Sequence, residues 1–458
     1  MSSVASAKPG SVCHIVAMPY PGRGHINPLM NLCKVLASKS DNILITFVVT
    51  EEWLSFIGSD RKPGKIRLCC IPNVVPSELV RASDMVGFLE AVWTKMEAPF
   101  EQLLDELELP PTLIIADTHL FWAISVGNRR NVPVASFWPM STAMFSVFHH
   151  FHLFQEKGHF PVDLLGNENE QVDYIPGVSS TRLLDLPGFN GGIYPLILKQ
   201  ILGCISSVRK ANYLLFPSIY ELESQTIDAL KAELSLSIHA VGPSIPHLNL
   251  NPGDEAYCLQ WLDRQPSNSV LYVSMGSFLS VSSAQMEEIT AGLQGSGVRF
   301  LLVAREELRD GCGNRGLVVP WCDQPKVLCH PSIGGFWSHC GWNSVKEGIL
   351  AGTPFLTFPL FADQNFNSKL IVEDWKIGWR MKQKQKQKQK YSVTTRGHIS
   401  ILVKRLMDSE GDDEVKQMRG RARELKEKCL KATGRHGSSE TDISSFLHDI
   451  VQFNPIVF

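Results

Sequence analysis

The stretch WCDQPKVLCHPSIGGFWSHCGWNSVKEGILAGTPFLTFPLFADQ occupies residues 321–364 and is rich in Gly, Pro, Trp, His and Cys. Its pattern predicts a short apolar strand (Ile333 to Trp337), a polar turn (Ser338 to Ser344) and a short helix (Val345 to Ala351). A helix that starts after such a turn presents unpaired backbone N–H groups, which bind phosphate well. The alternative interpretation is a Gly/Pro-rich loop that only connects core elements. The hydrogen-bond donors of the polar turn favour a site that binds an anion.

This stretch of 44 residues resembles, along its whole length, the UDP-sugar signature of plant family-one glycosyltransferases. Two positions depart from the family pattern, because Asp323 stands where Pro is usual and Ser338 where Thr is usual. The residues at matching positions are Trp321, Gln324, Val327, Leu328, His330, Gly335, Phe336, His339, Cys340, Gly341, Trp342, Asn343, Ser344, Glu347, Gly352, Pro354, Pro359, Asp363 and Gln364.

Length and composition indicate a globular protein of two domains. The chain has 458 residues, of which 44% are hydrophobic and 20% charged, and a net charge of −2. Nothing in that balance favours nucleic acid or an anionic membrane as a partner. No stretch has the pattern of a secretory signal or a membrane span, and the 11 scattered cysteines are typical of free thiols in a reducing compartment. We therefore expect a cytoplasmic protein.

The N-terminal segment predicts a strand, helix and strand of a parallel sheet. Val12 to Met18 is an apolar run, PYPGRGHINP follows it, and Ile43 to Val49 is the next run. Asn27 suits a helix cap, with a proline directly after it in the first turn. His25 lies just past the first strand, where open α/β sheets bind ligands, although a histidine at a helix start is more often a cap or a surface residue.

A second candidate follows the strand predicted from Leu113 to Ala116, which ends at Asp117. On its own, this aspartate could equally be a helix cap. PYPGRGHINP and the segment around Asp117 both resemble the glycosyltransferase family, and this resemblance implies that His25 is the general base and that Asp117 orients it. Arg23 departs from the Gln that many members carry. The motifs look most similar to the eighty-seven A branch of the family.

The acceptor pocket is expected to be apolar and aromatic, which suits a flavonoid or other phenolic, or a terpenoid alcohol. The candidate acceptor-binding residues are Phe121, Trp122, Ser141, Phe145, Phe148 and Phe151. Four histidines between Phe145 and Phe160 suggest a metal site only weakly, because no carboxylate cluster accompanies them in the sequence. The Cys and His residues of the signature also lack the paired spacing of zinc ligands. We therefore expect no metal and no cofactor.

The resemblance implies a GT-B fold, with two facing Rossmann-like domains and a cleft between them. We predict an acceptor domain at 1–241, a linker at 242–258, a UDP-sugar domain at 259–440 and a final helix at 441–458 that crosses back to the first domain. The segment from Gly158 to Leu202 is loop-like because of its Pro and Gly content. The alternating KQKQKQKQK at 382–390 is expected to be a solvated loop.

The resemblance also implies the roles of the donor-site residues, with UDP-glucose as the donor substrate. Trp321 and Cys322 would hold uracil, Glu347 and Gln324 the ribose, and Ser277, His339, Asn343 and Ser344 the diphosphate at the helix start after Gly341. Trp342, Asp363 and Gln364 would face the sugar, and the combination of Trp342 with Gln364 favours glucose.

We therefore expect a monomeric, inverting glucosyltransferase that acts on hydroxyl groups. A histidine has the pKa that a general base needs near neutral pH. Two other classes stay open: a sugar-nucleotide-binding protein without transferase activity, and a Ser-His-Asp hydrolase. The absence of a GxSxG motif in the sequence argues against the hydrolase.

Overall fold

Two parallel β-sheets, each covered by helices, form the framework of the protein. The computed structural model describes residues 12–58, 64–81, 84–160, 169–187, 194–243, 252–276, 281–304, 315–381, 393–408 and 411–452. Ser277 and the Lys-Gln repeat at 382–390 lie outside this range, and so do many residues of the predicted linker. Among the helices of the described residues, none combines the length and the apolar character needed to cross a membrane.

The first sheet is built from the N-terminal half of the chain, and all its strand pairs are parallel. Its half of the chain contains β1 (Cys13–Met18), α1 (Arg23–Lys39), β2 (Ile43–Thr50), α2 (Glu51–Ile57), β3 (Ile66–Ile71), α3 (Met85–Thr94), α4 (Glu97–Glu106), β4 (Leu113–Asp117), α5 (Trp122–Arg129), β5 (Val134–Phe137), α6 (Thr142–His149), α7 (Phe151–Glu156), β6 (Gln171–Val172), β7 (Thr181–Arg182), α8 (Tyr194–Ser207), β8 (Tyr213–Phe216), α9 (Tyr220–Glu233) and β9 (Ser237–Ala240). The strand order is β3-β2-β1-β4-β5-β8-β9, and β6 and β7 form a separate antiparallel pair.

The second sheet has the order β12-β11-β10-β13-β14-β15 and is also parallel. Its half of the chain contains α10 (Pro252–Asp263), β10 (Val270–Ser274), α11 (Ser283–Ser296), β11 (Arg299–Val303), β12 (Gly316–Val319), α12 (Gln324–Leu328), β13 (Ile333–Ser338), α13 (Trp342–Ala351), β14 (Phe355–Thr357), α14 (Gln364–Lys369), β15 (Gly378–Arg380), α15 (Arg396–Met407), α16 (Asp413–Thr433) and α17 (Ser438–Gln452).

The central strands are short apolar runs that are buried along their whole length, as in β1, β4 and β13. Parallel strands covered by helices on both faces take this composition, because every side chain along them leaves water. In such sheets the loops that follow the strands share one edge, and ligands bind there. The sheet order therefore decides which of the predicted site residues can meet.

The last helix returns to the first sheet. Side chains of α17 at Ile443, Phe446 and Ile450 join the apolar core around β1 and β2. The Asp442 carboxylate accepts a hydrogen bond from the backbone N–H of Ala240 in β9 at 2.7 Å. The C-terminal helix thus ties the end of the chain to the first half.

Several element bounds differ from the sequence prediction. The helix predicted from His25–Pro28 begins earlier, at Arg23, so Asn27 is not its cap and Pro28 lies inside α1. The segment predicted as loop from Gly158 to Leu202 contains the start of α8, whose apolar residues pack on α6. Likewise, α10 begins at Pro252, inside the predicted linker. The domain boundaries themselves stay predictions.

Candidate active site

His25 and Asp117 meet at the carboxyl edge of the first sheet. Since β1 pairs with β4, the chain that leaves β1 lies beside the end of β4, where Asp117 is fully buried. His25 Nδ1 lies 2.7 Å from Asp117 Oδ2, and a quarter of the histidine side chain is exposed. An ionised carboxylate only accepts hydrogen bonds, so Nδ1 carries the proton and Nε2 of the neutral ring is free to act as a base.

A second histidine, His119, contacts the other oxygen of the same carboxylate. Its Nδ1 lies 2.9 Å from Asp117 Oδ1, and its backbone N–H donates to that oxygen at 3.0 Å. The His119 ring stacks on Trp138, with the ring centroids 5.3 Å apart. Sequence analysis did not single out His119; its signal was only its place two residues after Asp117 at a strand end.

The buried Asp117 carboxyl remains ionised. Burial alone would raise its pKa, but the charges and hydrogen bonds of His25 and His119 together outweigh burial and hold the pKa well below its ordinary value. The aspartate can therefore balance a positive charge on a neighbouring imidazole.

A proline in α1 links this pair to the signature of the second half. Pro28 has no N–H, so the carbonyl oxygen of Gly24, four residues earlier, has no helical partner from that position. Asn343 Nδ2 donates a hydrogen bond to this oxygen at 2.8 Å. The residue next to His25 is thereby connected directly to the predicted diphosphate site.

The turn between β13 and α13 forms the centre of that site. α13 begins at Trp342 after Gly341, three residues earlier than predicted, and no side chain caps its first turn. Cys340 in the turn has a positive φ of 68°. The early start places Asn343 and Ser344 in the first helical turn, where the backbone N–H groups and the helix dipole favour an anion.

His339 is held between two glycines. A Cβ atom on Gly276 would lie 2.8 Å from His339 Nε2, and one on Gly341 would lie 2.6 Å from the same atom. Burial lowers the pKa of His339 to about 4, so the imidazole is neutral at pH 7. Its buried Nδ1 has no hydrogen-bond partner among the described residues.

The predicted ribose residues form one hydrogen-bonded group. Gln324 Nε2 donates to Glu347 Oε2 at 2.6 Å and to Ser344 Oγ at 2.9 Å, while Tyr272 donates to Gln324 Oε1 at 3.1 Å. Trp321 is half-buried just before α12, and Cys322 beside it is buried. The structure thus brings Gln324, Ser344 and Glu347 together.

The predicted sugar residues lie around the start of α14. Burial raises the pKa of Asp363 to about 6, although Asn367 donates a hydrogen bond to its carboxylate at 2.8 Å. Gln364 uses its side-chain oxygen to accept from the backbone N–H groups of Leu360 and Phe361, which leaves its amide N–H groups for other partners. The Trp342 ring is buried against Trp375.

The predicted acceptor residues have mixed surroundings. Trp122 is buried in the core, where its Nε1 donates to a backbone oxygen of α3. Ser141 is buried as well, and its hydroxyl caps α6. Phe145 and Phe148 are also buried, and Phe121 is partly exposed. Acceptor binding by all five residues stays a prediction.

Two groups of three side chains of the types that can ligate a metal lie close together among the described residues: His25, Asp117 and His119, and His149, His150 and Glu233. In the second group the Glu233 oxygens lie 2.9 and 2.7 Å from the two Nε2 atoms. Hydrogen bonds between the members account for the geometry of both groups. The Cys and His residues of the signature do not form such a group within the described part of the chain.

Comparisons with known proteins agree with this geometry. A family model described as UDP-glucoronosyl and UDP-glucosyl transferase matches residues 230–387. UDP-glycosyltransferases 87A2 and 87A1 of Arabidopsis thaliana are 49% and 50% identical to this chain; the matches cover 97% and 95% of it, and 98% and 100% of those proteins. The crystal structure of Medicago truncatula UGT71G1 complexed with UDP-glucose has a TM-score of 0.81 at 26% identity and covers 96% of this chain and 98% of that one. The chain thus belongs to the plant family-one UDP-glycosyltransferases of the 87A branch, enzymes with the GT-B fold.

Proposed function

We propose that the protein is an inverting, metal-independent glucosyltransferase that moves glucose from UDP-glucose to a hydroxyl group of a small lipophilic plant metabolite. The acceptor would be a flavonoid or other phenolic, or a terpenoid alcohol. The contact between His25 Nδ1 and Asp117 Oδ2 at 2.7 Å carries the proposal, because it prepares an imidazole to accept a proton at its other nitrogen.

His25 is the general base in the proposed reaction. An acceptor hydroxyl is a weak nucleophile, so Nε2 of His25 removes its proton as the oxygen attacks the anomeric carbon of glucose. Asp117 stabilises the imidazolium that forms. UDP leaves from the opposite face of the sugar, so the α-linked donor gives a β-glucoside.

The leaving UDP is stabilised by neutral groups. The open N-terminus of α13, the neutral His339 imidazole and the side chains of Asn343 and Ser344 converge on one turn. UGT71G1 was crystallised with UDP-glucose, which supports the same donor here. Ser277 is proposed as a further diphosphate donor, although it lies outside the described residues.

Trp321 and Cys322 are proposed for uracil, Gln324 and Glu347 for ribose, and Asp363 with Gln364 for the glucose hydroxyls. The amide N–H groups of Gln364 and the carboxylate of Asp363 provide complementary donors and acceptors. Trp342 shapes this pocket from its buried position. Tyr20 and Trp138 give the region near His25 an aromatic character that suits a flat acceptor.

We also propose that the enzyme acts as a monomer in the cytoplasm. The ten cysteines in the described residues are free thiols, which supports a reducing compartment.

The test is transfer from UDP-glucose to a panel of phenolics and terpenols, with mass spectrometry of the products. His25→Ala should abolish transfer and keep UDP-glucose affinity within a few fold, whereas His152→Ala, an exposed histidine, should leave both unchanged. The anomeric proton coupling of the product reports inversion, and full rate in EDTA reports metal independence. Normal transfer by His25→Ala would overturn the base assignment, and tight donor binding without any adduct would favour a binding protein.

A further inference from the structure

Two histidines share the Asp117 carboxylate, and the proposed reaction uses only one of them. His25 Nδ1 lies 2.7 Å from Oδ2, and His119 Nδ1 lies 2.9 Å from Oδ1. The two imidazole rings lie edge to face, with their centroids 5.4 Å apart. One negative charge therefore serves two potential cations.

We propose that His119 is a positioning residue that holds Asp117 in place and sets the basicity of His25 through the shared carboxylate. The inference rests on the proposed function, because it takes His25 as the base.

Three contacts immobilise the His119 side of the carboxylate. Both the ring Nδ1 and the backbone N–H of His119 donate to Oδ1. The ring itself is fixed by its stack on Trp138, with an interplanar angle of 13°. With Oδ1 fixed, rotation of the carboxylate is prevented and Oδ2 stays directed at His25 Nδ1.

The hydrogen bond from His119 Nδ1 also changes how the negative charge of Asp117 is distributed between its two oxygens. A donor on Oδ1 draws negative charge away from Oδ2, so the carboxylate stabilises the His25 imidazolium less strongly than an unshared one would. Without this donor, His25 would hold its proton to higher pH and a smaller fraction would be a free base at neutral pH. His119 thereby weakens the stabilisation that Asp117 gives to a protonated His25.

Of the other titratable groups near the pair, Tyr20 and Cys204 keep their charge state between pH 6 and 9, whereas Glu78 titrates within that range. Tyr20 contacts both imidazole rings, and burial raises the pKa of its hydroxyl. Cys204 from α8 contacts the His119 carbonyl, and burial raises the pKa of its thiol to about 12. Beyond Tyr20 lies Glu78 paired with Arg81; burial raises the pKa of Glu78 to about 7, and because it is present in every variant its titration cancels in comparisons.

Two substitutions separate the hydrogen bond of His119 from its ring. His119→Phe keeps a ring for the stack on Trp138 and removes the donor. His119→Asn removes the ring and places an amide N–H where Nδ1 stood. Two readouts are measured for each: the pH profile of kcat/KM for transfer, and the pKa of His25 from NMR of histidine Cε1–H groups, with the signal identified by its loss in His25→Gln.

His119→Phe should move the acid limb of the profile and the NMR pKa of His25 upward by about one pH unit, which corresponds to a loss of kcat/KM of up to about tenfold on that limb. His119→Asn should stay within a few tenths of a unit of the wild type. UDP-glucose affinity should be unchanged in both, which shows that the fold is intact.

An unchanged His25 pKa in a folded His119→Phe protein would overturn the inference, as would equal shifts in both variants, since the ring and not the donor would then be responsible. The NMR pKa does not depend on activity. If His119→Phe shifts the His25 pKa but transfer survives His25→Ala, only the assignment of His25 as the base is contradicted. The coupling of the two histidines through Asp117 would then still hold.

Discussion

Replacing Lys346 with methionine should change how the stability of the protein depends on pH. Lys346 lies in α13 with 2% of its surface exposed, and its ammonium group donates to the carbonyl oxygen of Pro217 at the end of β8, 2.7 Å away. Burial lowers its pKa to about 8, although Glu347 and Glu223 act in the opposite direction. A desolvated cation is thus kept charged at pH 7 between the two halves of the chain.

The magnitude follows from linkage between protonation and folding. The unfolded chain holds the Lys346 proton up to its ordinary pKa of about 10.4. Between the folded and the unfolded pKa, the unfolded state binds more protons, so the free energy of unfolding rises with pH. The expected gain between pH 7 and pH 9.5 is about 2 kcal/mol, and it disappears as the pH falls through the folded pKa.

Urea denaturation at pH 7, 8 and 9.5 measures this effect. The free energy of unfolding of the wild type, minus that of Lys346→Met, should rise by about 2 kcal/mol over this range, because all other titrating groups occur in both proteins. Lys404→Met, which removes an exposed lysine of α15, should show no such rise. Parallel pH dependence of the wild type and Lys346→Met would refute the assignment of a buried, charged lysine.

Three further predictions concern the active site. Asp117→Asn should lower kcat by about 100-fold or more with unchanged UDP-glucose affinity, measured by calorimetry, and a loss below tenfold would contradict a role beside the imidazolium. Gly276→Ala should weaken UDP binding at least tenfold, because Gly276 has a φ of 83° and its Cβ would meet the His339 ring; Gly203→Ala in α8, with open space around it, is the control. Asn343→Ala should lower kcat/KM for UDP-glucose about tenfold, and normal kinetics would contradict its proposed role at the diphosphate.

Local sequence patterns were sufficient for the framework. The apolar runs predicted from Val12, Ile43, Val270 and Ile333 are all strands, because a strand buried on both faces requires a continuous apolar composition. The signature also indicated the strand, turn and helix around His339. The helix begins three residues earlier than predicted, because the polar residues Asn343 and Ser344 lie in its first turn and no side-chain cap marks its start.

The prediction of a helix start was wrong where a residue with a strong local conformational preference is accommodated by contacts distant in the sequence. The sequence analysis used Pro28 to mark a helix start, but the helix begins at Arg23 and continues through the proline. The carbonyl that Pro28 leaves without a helical partner accepts a hydrogen bond from Asn343, more than 300 residues away in the chain. The cost of an interior proline is thereby reduced by a contact that no local pattern reveals.

By itself, the sequence determined the fold class, the donor signature and the identity of His25 and Asp117 as candidates, because these depend on residue types at fixed local spacing. Only the tertiary structure decided that His119 shares Asp117 with His25, that Trp122 and Ser141 are buried, and that Lys346 is buried between the two halves. Each of these depends on which strands become neighbours in the sheets and on how the two halves pack, and long-range contacts of that kind leave no periodic trace in the chain.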